Sequence, residues 1–248
     1  MWLVPPRRSE DRAKRTVYAF VHIFKAAGTS VQVQLREALG EEAAPQINDG
    51  RKDGLTFLDR VGNAIADPRC RIICGHAKYV RFVDIFRHLD IGKPHGLTFL
   101  RDPIKRLVSA YNYTRSAEYE QYHQQALTME PEDYFRFLLS ADPESVSNHQ
   151  CLYLGDRNDA KFETARDSLL SNFDFFGVSD NIEAINPFLA ENFGISIDPA
   201  RRENVSPPGV AVSDLNSGCL SLLMDATAQD RRLYEFVKEY DANRGRAG

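Results

Sequence analysis

The stretch Val17–Leu39, V-Y-A-F-V-H-I-F-K-A-A-G-T-S-V-Q-V-Q-L-R-E-A-L, predicts a β-strand that turns directly into an α-helix. The apolar run over 17–21 is typical of a buried strand, which we predict over 16–23, and the apolar residues at 31, 35, 38 and 39 lie on one face of a helix over 28–39. A helix that begins after such a turn presents backbone N–H groups and the positive end of its dipole. Lys25 adds a positive charge, and the turn closes with Ala27, Gly28, Thr29 and Ser30. The stretch therefore predicts a binding site for a phosphate-like group.

The turn does not match the loop that binds nucleoside triphosphates. That loop needs a glycine, four residues, and then Gly-Lys followed by Ser or Thr. Here Lys25 precedes Gly28 by three residues, and the turn contains no Gly-Lys pair. The spacing therefore argues against a triphosphate loop while retaining the features of an anion site.

A second candidate anion site follows the predicted strand 95–101. Asp102 and Pro103 are favourable residues for the start of a helix, which we predict over 103–119. Arg101 ends the strand at the edge where open α/β sheets bind ligands, and Ser109 lies on the polar side of the helix. An arginine and a nearby hydroxyl suit a dianionic phosphate monoester.

Together these two segments resemble the sulfotransferases of the carbohydrate type, in particular the heparan sulfate 2-O-sulfotransferases, which use 3′-phosphoadenylyl sulfate (PAPS). The stretch His22–Ser30 is similar to the family's His-Ile-Pro-Lys-Thr-Ala-Gly-Thr-Ser loop for the 5′-phosphosulfate, with Phe24 in place of proline and Ala26 in place of threonine. Arg101 and Ser109 match the family's 3′-phosphate site. The resemblance implies that Lys25, Ala27, Gly28, Thr29, Ser30, Arg101 and Ser109 bind the nucleotide.

Weaker similarity continues to residue 206, so that the resemblance spans most of the chain. The segment Asn148–Gly155 is similar to the family's Asn-x-Gln…Leu-x-Gly segment, and Phe173–Val178 to its late core strand. The turn Asn204-Val205-Ser206 resembles one that closes near the nucleotide in the family. The resemblance thus adds Asn204 and Ser206 to the expected PAPS site.

The reaction that the resemblance implies is transfer of the sulfuryl group from PAPS to an acceptor hydroxyl, with adenosine 3′,5′-bisphosphate (PAP) as product. Lys25 is the candidate for stabilising the leaving oxygen. His76 follows the predicted strand 70–75 and is the candidate general base, since its intrinsic pKa suits proton abstraction near neutral pH. It matches the second histidine of the His-Gly-His element of the 2-O-sulfotransferases, while Cys74 replaces the first. His76 as base, as acceptor-positioning residue and as structural histidine remain alternatives.

Composition limits the remaining partners. The 248 residues carry a net charge of −4, which argues against a nucleic-acid binder or a binder of long polyanions. Neither motif contains an acidic cluster, so we expect no metal, and the four cysteines lack zinc spacing and are expected to be free thiols. No window has the ~18 apolar residues of a membrane span. We therefore expect a cytoplasmic enzyme, with a hydroxyl-bearing acceptor of carbohydrate type and an oligomeric state that the sequence does not define.

Strands that alternate with helices predict an α/β fold, with one domain over 16–248 built on a central parallel sheet flanked by helices, after an N-terminal extension over 1–15. The charged residues of 225–241 are expected on a solvated helix face. The remaining predicted elements, besides strand 173–178, are a polar loop through Gly50, helices 53–66, 131–140, 144–153, 159–171 and 180–193, a loop or short helix over 77–88, a loop over 195–211, and a helix over 213–240 with a break near Asp225.

Two functions of other classes remain open from the sequence. A nucleotide phosphotransferase would need the triphosphate loop and magnesium carboxylates, neither of which we find. A catalytically idle module that binds PAPS or PAP would retain the same two anion sites. A measurement of turnover would distinguish that module from an enzyme.

Overall fold

The computed structural model describes residues 16–47, 55–156, 159–201, 203 and 209–244. Its centre is a five-stranded sheet in which all neighbouring strands are parallel. The strands are β1 (Tyr18–Val21), β2 (Gln46–Ile47), β3 (Ile72–Gly75), β4 (His95–Leu100) and β5 (Phe173–Val178), in the spatial order β2-β3-β1-β4-β5. Since β1 is central and the chain crosses to both of its sides, the carboxyl end of β1 is where such sheets bind ligands.

Helices cover both faces of the sheet, which explains why β1 and β3 are buried along their whole length. On one face, α1 (Gly28–Leu39) and α10 (Asn186–Phe193) pack over alternate strand residues such as Phe20 and Ile72. The opposite face packs against α2 (Phe57–Ala66), α3 (Tyr79–His88), α8 (His149–Leu154), α9 (Phe162–Asn172) and α12 (Ala228–Arg244). The alternation of side chains between the two faces follows from the period of two in a β-strand.

A third apolar cluster lies beyond the sheet. It joins α4 (Pro103–Ser116) to α5 (His123–Thr128), α6 (Pro131–Ala141), α7 (Pro143–Val146) and α11 (Ser217–Ala226). Short 3₁₀ helices at Ile182–Ile185 and Val212–Asp214 complete the regular elements of the described residues. This cluster forms one wall beside the carboxyl edge of the sheet.

The predicted fold class is confirmed: the chain is an α/β domain with a central parallel sheet and helices on both faces. Several elements differ from the sequence prediction. β2 lies within the predicted polar loop, and α5 was missed. The predicted helix 144–153 divides at Asn148, whose φ of 46° lies in the left-handed region. The C-terminal break falls at Thr227, two residues after the predicted position.

The charged segment 225–241 is not uniformly solvated, which corrects the sequence prediction. Asp230 and Asp241 are buried in it. Residues 1–15, 204 and 206 lie outside the described part of the chain. Among the helices that the structure describes, none is long and apolar enough to cross a membrane.

Candidate functional site

The turn between β1 and α1 contains two residues in a backbone conformation that side chains disfavour. Lys25 has φ 63° and Ala27 has φ 66°, and a left-handed conformation costs about 1–2 kcal/mol for a residue with a Cβ. Helix α1 then begins at Gly28 without a side-chain cap from any described residue, whereas Thr56 caps α2 and Asp102 caps α4. A bound anion would satisfy the first-turn N–H groups of α1.

Gly28 is required by the ring of His22. A Cβ built on Gly28 would lie 2.1 Å from Cδ2 of His22, which is closer than any real contact. His22 is 3% exposed, and its Nδ1 forms a hydrogen bond of 3.2 Å with Oε1 of Gln32. Burial lowers the pKa of His22 to about 3, so the ring is neutral. The neutral ring of His22 therefore packs against Gly28 and supports the turn.

Arg101 is fixed at the end of β4 by a buried glutamine. Gln150 accepts a hydrogen bond of 3.0 Å from the backbone N–H of Arg101 and donates one of 2.9 Å to its carbonyl. The carboxylate of Asp230 accepts from the N–H groups of Gln150 and Cys151 at the start of α8. Arg101 in turn donates from Nη1 to the carbonyl of Lys25 at 3.1 Å. The two predicted anion sites are thus joined by a direct hydrogen bond.

A cleft of about 670 Å³ opens at this edge of the sheet. Its lining includes every described residue of the predicted PAPS site except Gly28, which lies beneath it: Lys25, Ala27, Thr29, Ser30, Arg101 and Ser109. Oγ of Ser30 accepts a hydrogen bond of 2.9 Å from the N–H of Glu203. This contact brings the chain just before Asn204 and Ser206 to the cleft, although those two residues lie outside the described part.

The cleft also contains residues that the sequence analysis did not single out. Arg36 and Lys105 also line it, but each is paired with a carboxylate, Glu41 and Asp180 respectively. Asn112 exchanges two hydrogen bonds with Val210 and so holds the far wall. Gln32 is 2% exposed, and its Nε2 has no hydrogen-bond partner among the described residues. A polar residue on the otherwise apolar side of α1 was the signal that could have marked Gln32.

Lys25 is a partly desolvated cation. Burial, with the nearby charge of Arg101, lowers its pKa from 10.5 to about 8, while Glu120 acts in the opposite direction. Its Nζ lies 4.4 Å from the ring centroid of Tyr113. Lys25 is therefore mostly protonated at neutral pH, at a position where an added negative charge would be strongly stabilised.

His76 lies at the carboxyl end of β3, beside the same turn. Its ring stacks on that of His22 with a centroid distance of 3.9 Å, and the ring of Phe24 lies edge-on at 6.2 Å. The side chain is exposed to the cleft, but the groups around it remove enough water to lower its pKa below 6.5. His76 is therefore neutral at pH 7, as a general base must be.

Two residues, Phe24 and His76, line both this cleft and a second pocket of about 310 Å³. His149 lies in that second pocket. Its Nδ1 bonds to the carbonyl of Glu144 at 2.8 Å, and its Nε2 has no partner among the described residues. Burial lowers the pKa of His149 to about 3, which makes it a poorer base than His76.

Within the described residues, no group of three or more His, Cys, Asp or Glu side chains is arranged to hold a metal ion. No protein-family model matches the chain, and no curated protein sequence shows significant similarity to it.

Proposed function

We propose that the protein is a sulfotransferase that moves the sulfuryl group of PAPS to an acceptor hydroxyl. The observation that carries the proposal is the hydrogen bond between Arg101 and the carbonyl of Lys25. It joins two sites that each suit a phosphate or sulfate group, and a nucleotide with anionic groups on both its 5′ and 3′ positions would use both.

The donor half of the cleft would hold PAPS through its two ends. The 5′-phosphosulfate would lie at the N-terminus of α1, where Thr29 and Ser30 supply hydroxyls and no described side chain caps the first-turn N–H groups. Arg101 and Ser109 would hold the 3′-phosphate. The resemblance noted in the sequence extends this site to Asn204 and Ser206.

The transfer step requires little from the protein beyond placement and charge. The acceptor oxygen forms a bond to sulfur while the bond from sulfur to the bridging oxygen of PAPS breaks, and its electron pair stays on the phosphate of PAP. Lys25 would stabilise the charge that grows on that oxygen. The proton of the acceptor hydroxyl would pass to His76, which faces the cleft as a neutral imidazole.

The acceptor needs one hydroxyl close to both Lys25 and His76. The sequence resemblance favours a carbohydrate in this place, whereas the apolar pocket next to His76 favours a smaller and less polar acceptor. A nucleotide phosphotransferase fits the site less well, because the turn has no Gly-Lys pair to hold a triphosphate. A module that only binds PAPS or PAP would use the same donor residues but would transfer nothing.

The test is incubation with PAPS labelled with sulfur-35 and a panel of glycans, phenols and hydroxy lipids. We expect label on at least one acceptor and the release of PAP in equal amount. Tight binding of PAP with no transfer to any class of acceptor would identify an idle binding module instead.

A further inference from the structure

The second pocket differs in character from the donor cleft. Its walls are mainly apolar and aromatic, and include Phe24, Leu107, Tyr111, Tyr134, Phe135 and Leu138. Its volume of about 310 Å³ is at the lower end of the ~300–1,000 Å³ range of small-molecule sites. A pocket of this size and composition suits one compact ring rather than a segment of a glycan chain.

The pocket also contains a buried cation, Arg106, which is 1% exposed and whose Nη2 donates to the carbonyl of Ser145 at 2.9 Å. Among the described residues, its Nε has no hydrogen-bond partner and no carboxylate lies within ion-pair distance of the guanidinium. The opposite charge that acts on it from further away is that of the buried Asp230, whose carboxylate already accepts from the N–H groups of Gln150 and Cys151. Burial lowers the pKa of Arg106 to about 10, so that it is still charged at neutral pH. A buried charge with only a distant counter-ion and one unpartnered N–H is costly, and a bound anion would reduce that cost.

Two acidic residues, Glu120 and Asp142, also line the pocket. Glu120 is attracted by Lys25, and burial raises its pKa. The opposite charge that acts on Glu120 is therefore that of Lys25, on the side of the donor cleft, and not that of Arg106. His149 adds a neutral ring whose Nε2 lacks a partner among the described residues.

We propose that this pocket holds the acceptor, and that the acceptor is a small hydroxylated ring, largely apolar, whose carboxylate pairs with Arg106. The proposal rests on the proposed function and names the substrate class of that site. The hydroxyl of such a molecule would point past Phe24 to His76, the two residues that the pocket shares with the donor cleft. The pocket thus selects by apolar contact with the ring and by charge at the far end.

The probe is 4-hydroxyphenylacetate, and its matched control is the methyl ester, which keeps the ring and the hydroxyl but removes the charge. Binding of each is measured by NMR titration of the protein saturated with PAP, and transfer is then measured with labelled PAPS. We expect the acid to bind ~10- to 100-fold more tightly than the ester, the range that one hydrogen bond to a charged group supplies.

Arg106→Met keeps the bulk of the side chain and removes the charge, and should abolish the preference for the acid. Arg136→Met, on the exposed face of α6, should leave it unchanged. If Arg106→Met does not fold, Ala110→Phe tests whether the acid binds in this pocket. It extends a half-buried wall residue into the pocket and should weaken binding of the acid while leaving PAP affinity intact.

Equal binding of acid and ester, or a preference that survives in folded Arg106→Met, overturns the proposal. Binding of the acid that Ala110→Phe leaves unchanged, or stronger transfer to a disaccharide than to the acid, also overturns it. These results are distinct from failure of the proposed function, which would appear as absence of PAP binding before any acceptor is added, or as PAP binding with no transfer to any acceptor of the panel.

Discussion

The rings of His22 and His76 stack with their centroids 3.9 Å apart and their planes at 29°. Gly28 also lies against the ring of His22, so that His22 contacts both the start of α1 and His76. These contacts bring the candidate anion site and the candidate base together, although the two follow different strands. Because burial lowers the pKa of both histidines, neither ring carries a charge that would repel the other at neutral pH.

The first prediction concerns the pH dependence of kcat/KM. His76 must be neutral to act as a base, and its pKa lies below 6.5. The loss of rate that its protonation causes should therefore occur below pH 6.5. Lys25 must be protonated, and its pKa is about 8, so the rate should also fall as the pH rises through 8. Profiles of kcat/KM, taken from rates at subsaturating PAPS and acceptor, measure both limits. Lys25→Arg should move the alkaline limit upward, since arginine remains charged, and an unmoved limit would exclude Lys25 as its source.

The second prediction separates binding from chemistry at Lys25. Lys25→Ala should lower kcat by ~10²–10³-fold, the scale of a lost group that stabilises charge in the transition state. The affinity for PAP should change much less. Single-turnover rates with labelled PAPS, together with calorimetry of PAP, measure the two effects. A variant that loses PAP affinity and turnover in parallel would show that Lys25 only binds the nucleotide.

The third prediction concerns His76. His76→Ala should lower transfer to an alcohol by ~10²–10⁴-fold and leave PAP binding intact, as expected for loss of a general base. A nitrophenol, whose hydroxyl ionises readily, should lose much less rate. The two acceptors are compared in the same preparation. Equal losses for both would assign His76 a positioning or structural role, and the base would then have to be another residue.

The fourth prediction compares Gly28, the first residue of α1, with Gly62 in the middle of α2. Gly28→Ala should destabilise the protein by about 1–3 kcal/mol, the usual cost of overpacking, because the new Cβ would collide with His22. Gly62→Ala, on α2, meets its nearest atom at 3.9 Å and should stabilise by about 0.5–1 kcal/mol. Urea unfolding of both variants tests the pair. Equal stability of Gly28→Ala and the parent protein would show that the His22 ring does not need that glycine.

The sheet and the turn between β1 and α1 could be predicted from the sequence because both depend on short-range patterns. Apolar runs gave four of the five strands, and β2 was missed because two residues, Gln46 and Ile47, are too few to show a period. Helix α5 was missed because only Ala126 among its six residues is buried. The break at Asn148 depends on a left-handed residue that no helical pattern contains.

The sequence identified candidate ligand-binding residues but not the residues that hold them in place. Lys25, Arg101 and Ser109 belong to short motifs that can be recognised from adjacent residues, and all three line one cleft. Gln150 and Asp230 act on Arg101 through contacts between distant segments, and the sequence predicted Asp230 to be one of the charges on a solvated helix face. The second pocket is formed mainly by α4, α6, α7 and α8, so that the burial of Arg106 depends on how these helices pack together.

The central claim is that the cleft is built for a nucleotide with anionic groups at its 5′ and 3′ positions. Calorimetry of PAP against ATP tests this claim most directly, because it needs no knowledge of the acceptor. We expect PAP to bind without magnesium and more tightly than ATP with magnesium. Arg101→Ala should weaken PAP binding by about 1.5–3 kcal/mol, the scale of a lost charged hydrogen bond, while Arg136→Ala leaves it unchanged. Preference for ATP with magnesium, or PAP affinity that does not depend on Arg101, would contradict the account.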